Sequence, residues 1–261
     1  MIGVALLALA TTFAAWFIER HELSVVYPFD PTRSAPADAR LADTPFATTD
    51  GERLVLWTAP AAPGKPTLVY LPGNAGTLTD RAPRFSAFLD RGYGVVALAY
   101  RGSSGSSGSP DEAALTADAM AVVDGLDMLL EGTPGVVVLY GESLGSALAV
   151  KLAAEGRGDA LVLEAPFTSI PDLVAVQYPG ENIRRALTQR WDTRATVAEI
   201  WQPLLVLHGE ADRLVPFAQG REIFQRAGSG RKTLAALPGA GHGELWSQVG
   251  QSAIWDFIDG L

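Results

Sequence analysis

The sequence contains no cysteine, which excludes disulfides, thiolate metal sites and a cysteine nucleophile. It has only three histidines, His21, His208 and His242. A histidine-rich metal centre is therefore not expected, and any imidazole base must come from this short set. Basic residues are in deficit as well: 20 Lys and Arg stand against 29 Asp and Glu, a formal net charge of −9. With no basic face to neutralise phosphates, no nucleic-acid partner is expected. Blocks of like charge and internal repeats are also missing. What is plentiful is apolar side chain, at 48% of 261 residues, enough to fill the core of one large α/β domain.

The stretch that organises the chain runs from Val136 to Val150. An apolar, β-branched run (136–140) reads as a buried strand. Gly141-Glu142-Ser143-Leu144-Gly145 follows, and then Leu144, Ala147, Leu148, Val150 and Leu152 recur at helical spacing. Strand, sharp turn and helix are the setting of a nucleophile elbow, in which Ser143 projects above the sheet edge and the next helix aims its amide end at the site. An ordinary β–α turn with an exposed serine is the plainer alternative.

Before that stretch, residues 1–18 are uncharged and largely apolar, with Trp16 near one end. They read as a membrane anchor or signal segment, the anchor favoured because no Lys or Arg precedes the run. A buried or amphipathic N-terminal helix is the other reading. Residues 19–40 read as a linker; the part from Tyr27 to Arg40 is Pro-rich and aperiodic, and few contacts with the domain are expected of it. The folded domain is expected over 41–261. It opens with a hairpin turning at Asp50-Gly51, between strands over 46–49 and 53–57. Strand-like runs at 67–71, 95–100, 136–140, 160–164, 203–208 and 232–237 then alternate with helical stretches, among them 112–130 and 244–258. This alternation implies a mostly parallel sheet with helices on both faces, whose strands end at one common edge. The Gly-Ser stretch 102–108 is expected to be a flexible loop at that edge, structural in role. Between 171 and 200 a short lid insertion is expected, weakly helical over 183–191, with Trp191 and Trp201 expected in the core rather than in the site.

Four chemistry-bearing pieces fall at carboxyl ends of these strands: Pro72-Gly73-Asn74-Ala75-Gly76, Ser143, the Gly209–Pro216 loop with Asp212, and the Pro238–Gly243 loop with His242. A serine hydroxyl needs a base to become a nucleophile, and the base needs a carboxylate to hold its tautomer. Ser143, Asp212 and His242 occur in the order that this fold class uses. His208 is an alternative base and Glu210 an alternative acid; His21 is expected to be solvated. The main-chain N–H groups of Leu144 and Asn74 are the expected oxyanion donors.

The motifs Leu71-Pro72-Gly73-Asn74-Ala75-Gly76, Tyr100-Arg101-Gly102, Gly141-Glu142-Ser143-Leu144-Gly145, Phe167-Thr168-Ser169-Ile170, His208-Gly209-Glu210-Ala211-Asp212 and Gly241-His242 together resemble the α/β-hydrolase superfamily. Within it the chain is similar to small, N-terminally membrane-anchored α/β-hydrolase-domain serine hydrolases, a group that includes protein depalmitoylases. Family members usually carry His where Pro72 stands, and often an aromatic where Ser103 stands. The resemblance implies an α/β-hydrolase fold and a serine hydrolase that cleaves carboxylic esters or thioesters through an acyl-enzyme. No metal and no organic cofactor are expected. The expected partners are a small-molecule or lipid-like acyl substrate and a membrane, reached through the N-terminal segment. An aminopeptidase-like serine peptidase, and a non-catalytic membrane-tethered module on the same scaffold, are the alternatives.

Overall fold

The computed structural model describes residues 21–177 and 185–261. Among them eight strands form one sheet: β1 (Ala42–Ala47), β2 (Arg53–Ala59), β3 (Thr67–Leu71), β4 (Gly94–Leu98), β5 (Val137–Glu142), β6 (Ala160–Glu164), β7 (Leu204–Gly209) and β8 (Lys232–Leu237). Their spatial order is β1-β2-β4-β3-β5-β6-β7-β8. The β1–β2 and β2–β4 pairs are antiparallel, and the other five are parallel. The expected hairpin is present, with Gly51 supplying φ +93 at its turn, a conformation that costs glycine little.

Helices α1 (Ala82–Asp90), α2 (Glu112–Asp124), α3 (Leu144–Ala154), α4 (Ile170–Gln177), α5 (Phe217–Arg226) and α6 (Gln248–Asp259) cover the two faces. Alternate strand residues serve opposite cores, as the two-residue period of a strand requires. Val69 and Leu71 join the core beneath α2, α3 and α5, while Leu68 and Tyr70 join Phe85, Phe88, Ile254 and Phe257 beneath α1 and α6. Strands buried on both faces are why their sequences read as unbroken apolar runs.

Two helices differ from the periodicity. The apolar pattern over 112–130 breaks at Gly125, a poor helix former, leaving α2 and a separate turn at Leu126–Leu129. The last helix begins at Gln248 rather than 244, because Ser247 caps it by accepting from the Gly250 N–H.

The segment expected to touch the domain little is in fact packed against it. A helical turn over 21–26 buries Glu22, and Val26 and Tyr27 are about 5% exposed within the α2–α3 core. Glu22 accepts from the Thr188 and Gln189 N–H groups at 3.0 and 2.7 Å and from the Thr188 hydroxyl at 2.8 Å. The Tyr27 hydroxyl donates to Gln189 Oε1 at 2.5 Å and accepts from the Trp191 indole at 2.8 Å. Composition pointed to a free connector because these contacts use single side chains and main-chain groups, which leave no periodic trace. The 1–18 segment lies outside the described residues, and among those described no helix is long and apolar enough to cross a membrane.

The Gly-Ser loop after β4 is fixed rather than loose. Ser106 Oγ accepts from the Val55 N–H and donates to the Ala99 carbonyl, Ser104 Oγ accepts from the Leu78 N–H, and Ser107 Oγ accepts from the Arg53 N–H. Its serines act as hydrogen-bonding plugs between β2, β4 and the loop after β3, consistent with the structural role expected of them. Part of the weak helix expected over 183–191 lies outside the described residues. Beyond it, residues 187–192 are non-helical, Trp191 is fully buried and Trp201 is 66% exposed. Trp191 thus packs in the core as expected, and Trp201 does not.

Candidate active site

Parallel strands bring the four separated pieces to one edge of the sheet. Ser143 follows β5 directly and caps α3, with φ 49 and ψ −109. A non-glycine residue in that region is strained, and it persists only where its surroundings over-determine it. The Ser143 N–H donates to the Glu164 carbonyl at 2.8 Å, and the Ser146 N–H and hydroxyl both donate to the Ser143 carbonyl, at 2.9 and 2.6 Å. Close packing completes the turn: a Cβ on Gly145 would lie 1.9 Å from the Leu71 carbonyl oxygen.

His242 Nε2 stands 3.1 Å from Ser143 Oγ, and its Nδ1 stands 2.7 Å from Asp212 Oδ2. The other Asp212 oxygen accepts from the Leu214 and Val215 N–H groups at 2.9 and 2.8 Å. Burial pushes the Asp212 carboxyl up, but the His242 hydrogen bond and these main-chain donors outweigh it, and the group is held below the usual carboxylate range. An ionised Asp212 favours the tautomer with the proton on Nδ1 and leaves Nε2 free to accept from the serine. The arrangement can therefore withdraw a proton from Ser143 and stabilise the imidazolium that results.

The alternatives fall away on geometry. His208 is fully buried beneath the Asp212 loop, 2.9 Å from the Val215 carbonyl through Nε2 and 3.6 Å from Asp212. Burial pushes its pKa down. Glu210 is exposed, and so is His21 on the first helical turn. No cluster of metal-ligating side chains occurs among the described residues.

Leu144 is the first residue of α3, and neither its N–H nor that of Asn74 donates a main-chain or side-chain hydrogen bond among the described residues. The loop carrying Asn74 reaches the nucleophile: a Cβ on Gly73 would lie 3.5 Å from Ser143 Cβ. Two groups fasten that loop. The Tyr100 hydroxyl donates to the Pro72 carbonyl at 2.9 Å, and Asn74 Nδ2 donates to the Val26 carbonyl at 2.9 Å.

Sequence reasoning missed the charged wall beside the serine. A cavity of about 340 Å³ is lined by Ser143, His242, Arg81, Arg84, Glu142 and Glu164, among others. Arg81 holds Glu142 with two bonds at 3.1 and 2.9 Å, and Arg84 holds Glu164 at 2.5 Å. A signal was available. Glu142 and Glu164 end two buried neighbouring strands and sit side by side in register, an arrangement of like charges that demands cations nearby.

Residues 22–235 match the family model for X-Pro dipeptidyl-peptidases (S15 family). The chain belongs to this family of α/β-hydrolases. The hydrolase is 34% identical over 247 residues to an uncharacterized protein of Mycobacterium tuberculosis, covering 92% of this chain and 87% of that one. It is 33% identical to the lysophosphatidylserine lipase ABHD12 of Danio rerio over 183 residues, 62% of this chain and 47% of that one. Among solved structures it is similar to the Pyrococcus furiosus esterase Pf2001, with a TM-score of 0.72 at 18% identity over 88% of this chain and 98% of that one.

Proposed function

We propose that this α/β-hydrolase is a serine hydrolase acting on carboxylic esters or thioesters. The observation that carries the proposal is the continuous hydrogen-bonded chain from Ser143 through His242 to Asp212, built on a strained serine turn. In this reading Ser143 Oγ attacks the acyl carbon as His242 Nε2 takes its proton. The Leu144 and Asn74 N–H groups receive the oxyanion, each donor contributing on the order of 10²–10³ in rate. Collapse of the tetrahedral intermediate expels the alcohol or thiol, protonated by His242, and leaves an acyl-enzyme. Water, deprotonated by His242, then releases the acid. The relative named as a lysophosphatidylserine lipase supports a lipid-like acyl substrate. The apolar run at 1–18 supports attachment of the full chain to a membrane by that segment, with the catalytic domain beginning at the packed turn over 21–26 rather than at 41.

A second reading, cleavage of peptide amides, is favoured by the family model, which takes its name from X-Pro dipeptidyl-peptidases. The experiment that decides is fluorophosphonate labelling of the full-length chain, followed by parallel rates on 4-nitrophenyl esters, acyl thioesters and peptide anilides. Labelling that disappears in Ser143→Ala, with ester or thioester turnover falling by about 10⁴ or more, is the expected result. A folded chain that is not labelled, or labelled equally after Ser143→Ala, overturns the serine mechanism. Turnover of anilides alone transfers the assignment to a peptidase.

A further inference from the structure

The cavity beside Ser143 is walled by ion pairs, and their hydrogen bonds leave one guanidinium edge unused. Arg81 gives Nε and Nη2 to Glu142 and Nη1 to the Thr77 carbonyl, so all three of its nitrogens are engaged. Arg84 differs. Its Nη1 donates to Glu164 at 2.5 Å and to the Tyr70 hydroxyl at 3.2 Å, and its guanidinium carbon lies 5.0 Å from the centre of a Trp246 ring. Among the described residues, Nε and Nη2 of Arg84 have no hydrogen-bond partner. Nor are they sealed away: the fully buried side-chain polar atoms that lack a partner are Trp57 Nε1 and His208 Nδ1. Arg84 therefore lines the cavity with Nε and Nη2 neither hydrogen-bonded nor fully buried, and Glu164 and Trp246 hold its guanidinium in place.

Nε and Nη2 form the pair of parallel donors that receives a carboxylate in two bonds. Other occupants fit less well. A hydrocarbon chain laid against this wall would strip water from two ion pairs and return no hydrogen bond. An ammonium group would need carboxylate oxygens to spare. Glu142 already accepts from Arg81 and the Tyr70 hydroxyl, and Glu164 from Arg84 and the Tyr140 hydroxyl. A phosphate dianion would meet a wall on which Asp80, Glu142 and Glu164 outnumber Arg81 and Arg84. A carboxylate brings one charge and the planar shape of the fork.

We propose that this cavity is a subsite for a carboxylate carried by the substrate, held side-on by Arg84 Nε and Nη2. The inference rests on Ser143 being the nucleophile of an ester hydrolase and adds the class of substrate. The carboxylate sits on either side of the scissile bond: substrates are half-esters or half-thioesters of dicarboxylic acids, or esters whose alcohol bears the acid.

Steady-state rates of the full-length chain test this in two arms. In the first, 4-nitrophenyl hydrogen succinate and glutarate are compared with 4-nitrophenyl butyrate and valerate. In the second, 4-acetoxybenzoate is compared with 4-acetoxybenzamide. The expected result is a kcat/KM at least about tenfold higher for the carboxylate partner in one arm, the scale of a charge-assisted bond pair. Arg84→Lys keeps a cation against Glu164 but loses the fork, and the preference should drop to about twofold or less. If circular dichroism shows that this variant does not fold, the pair Arg84→Gln with Glu164→Gln replaces it, since that pair leaves no lone buried charge. Equal rates within each pair of substrates, or a preference that survives removal of the fork, overturn the subsite and leave the serine mechanism standing. Absence of both fluorophosphonate labelling and turnover of every ester overturns both.

Discussion

At the residue scale, the serine turn was legible because its glycines answer a steric demand. A Cβ on Gly141 would lie 2.4 Å from the Gly145 carbonyl oxygen, and one on Gly145 would lie 1.9 Å from the Leu71 carbonyl oxygen. Both clashes are with main chain, which cannot swing aside as a flexible side chain can. Gly145→Ala should therefore force β3 and α3 apart and destabilise the domain by about 3 kcal/mol or more, at or above the usual cost of overpacking. Chemical denaturation of Gly145→Ala beside the unaltered chain checks this, and a loss below about 0.5 kcal/mol would contradict the packing described. Asp212 and His242 were legible as polar residues in loops at strand ends, the His242 loop being rich in glycine. Arg84 was not legible. Its meaning depends on which of its nitrogens Glu164 and Tyr70 occupy, and residue type alone does not encode that.

At the scale of elements, the strands announced themselves through apolar runs that the two cores require. The N-terminal segment did not, because its structure is a set of point contacts. Those contacts have a consequence for the oxyanion loop. Asn74 is fastened through its side chain to the Val26 carbonyl, and Val26 is held in place by the turn whose Glu22 carboxylate receives the Thr188 and Gln189 amides. Removing residues 1–20 leaves all of these contacts in place and should preserve turnover of a small soluble ester. Removing residues 1–30 deletes the Val26 acceptor and takes the Glu22 carboxylate from the Thr188 and Gln189 amides, of which the one at 189 is buried and costs about 1–3 kcal/mol when left without a partner. It should also lower kcat by about tenfold or more through a displaced Asn74 N–H, with KM changing less. Paired kinetics of the two truncations provide the check. Equal kcat for both would show that the strap does not position the loop.

At the scale of the whole molecule, the strand–helix alternation and the common edge of a parallel sheet predicted that Ser143, Asp212 and His242, spread over 100 residues of chain, would meet. The structure brings them within hydrogen-bonding distance. Gathering polar groups this way also makes the fold respond to acid, in two stages whose signs follow from the shifts. His208 is held neutral: burial depresses its pKa from the ordinary 6.5, against the weaker pull of the Val215 carbonyl and the Asp212 charge. The native state then binds fewer protons there than the unfolded chain does. The stability it contributes is complete above about pH 6.5 and declines as pH falls through and below that value. Glu142 behaves likewise lower down. Burial alone would raise its pKa, but the hydrogen bonds and charge of Arg81 win and set it at about 2. Its contribution is complete above pH 4.5, the group's ordinary value, and is lost as pH falls toward 2. Asp212, lowered from 3.8, adds to this second stage. Melting temperature measured from pH 8 to pH 3 should therefore fall gently below about 6.5 and steeply below about 4.5. In His208→Gln the melting temperature should be lower at neutral pH, yet its decline between pH 7 and 5 should be smaller, because the titrating group is gone. An undiminished decline in that variant would place the upper stage on another group.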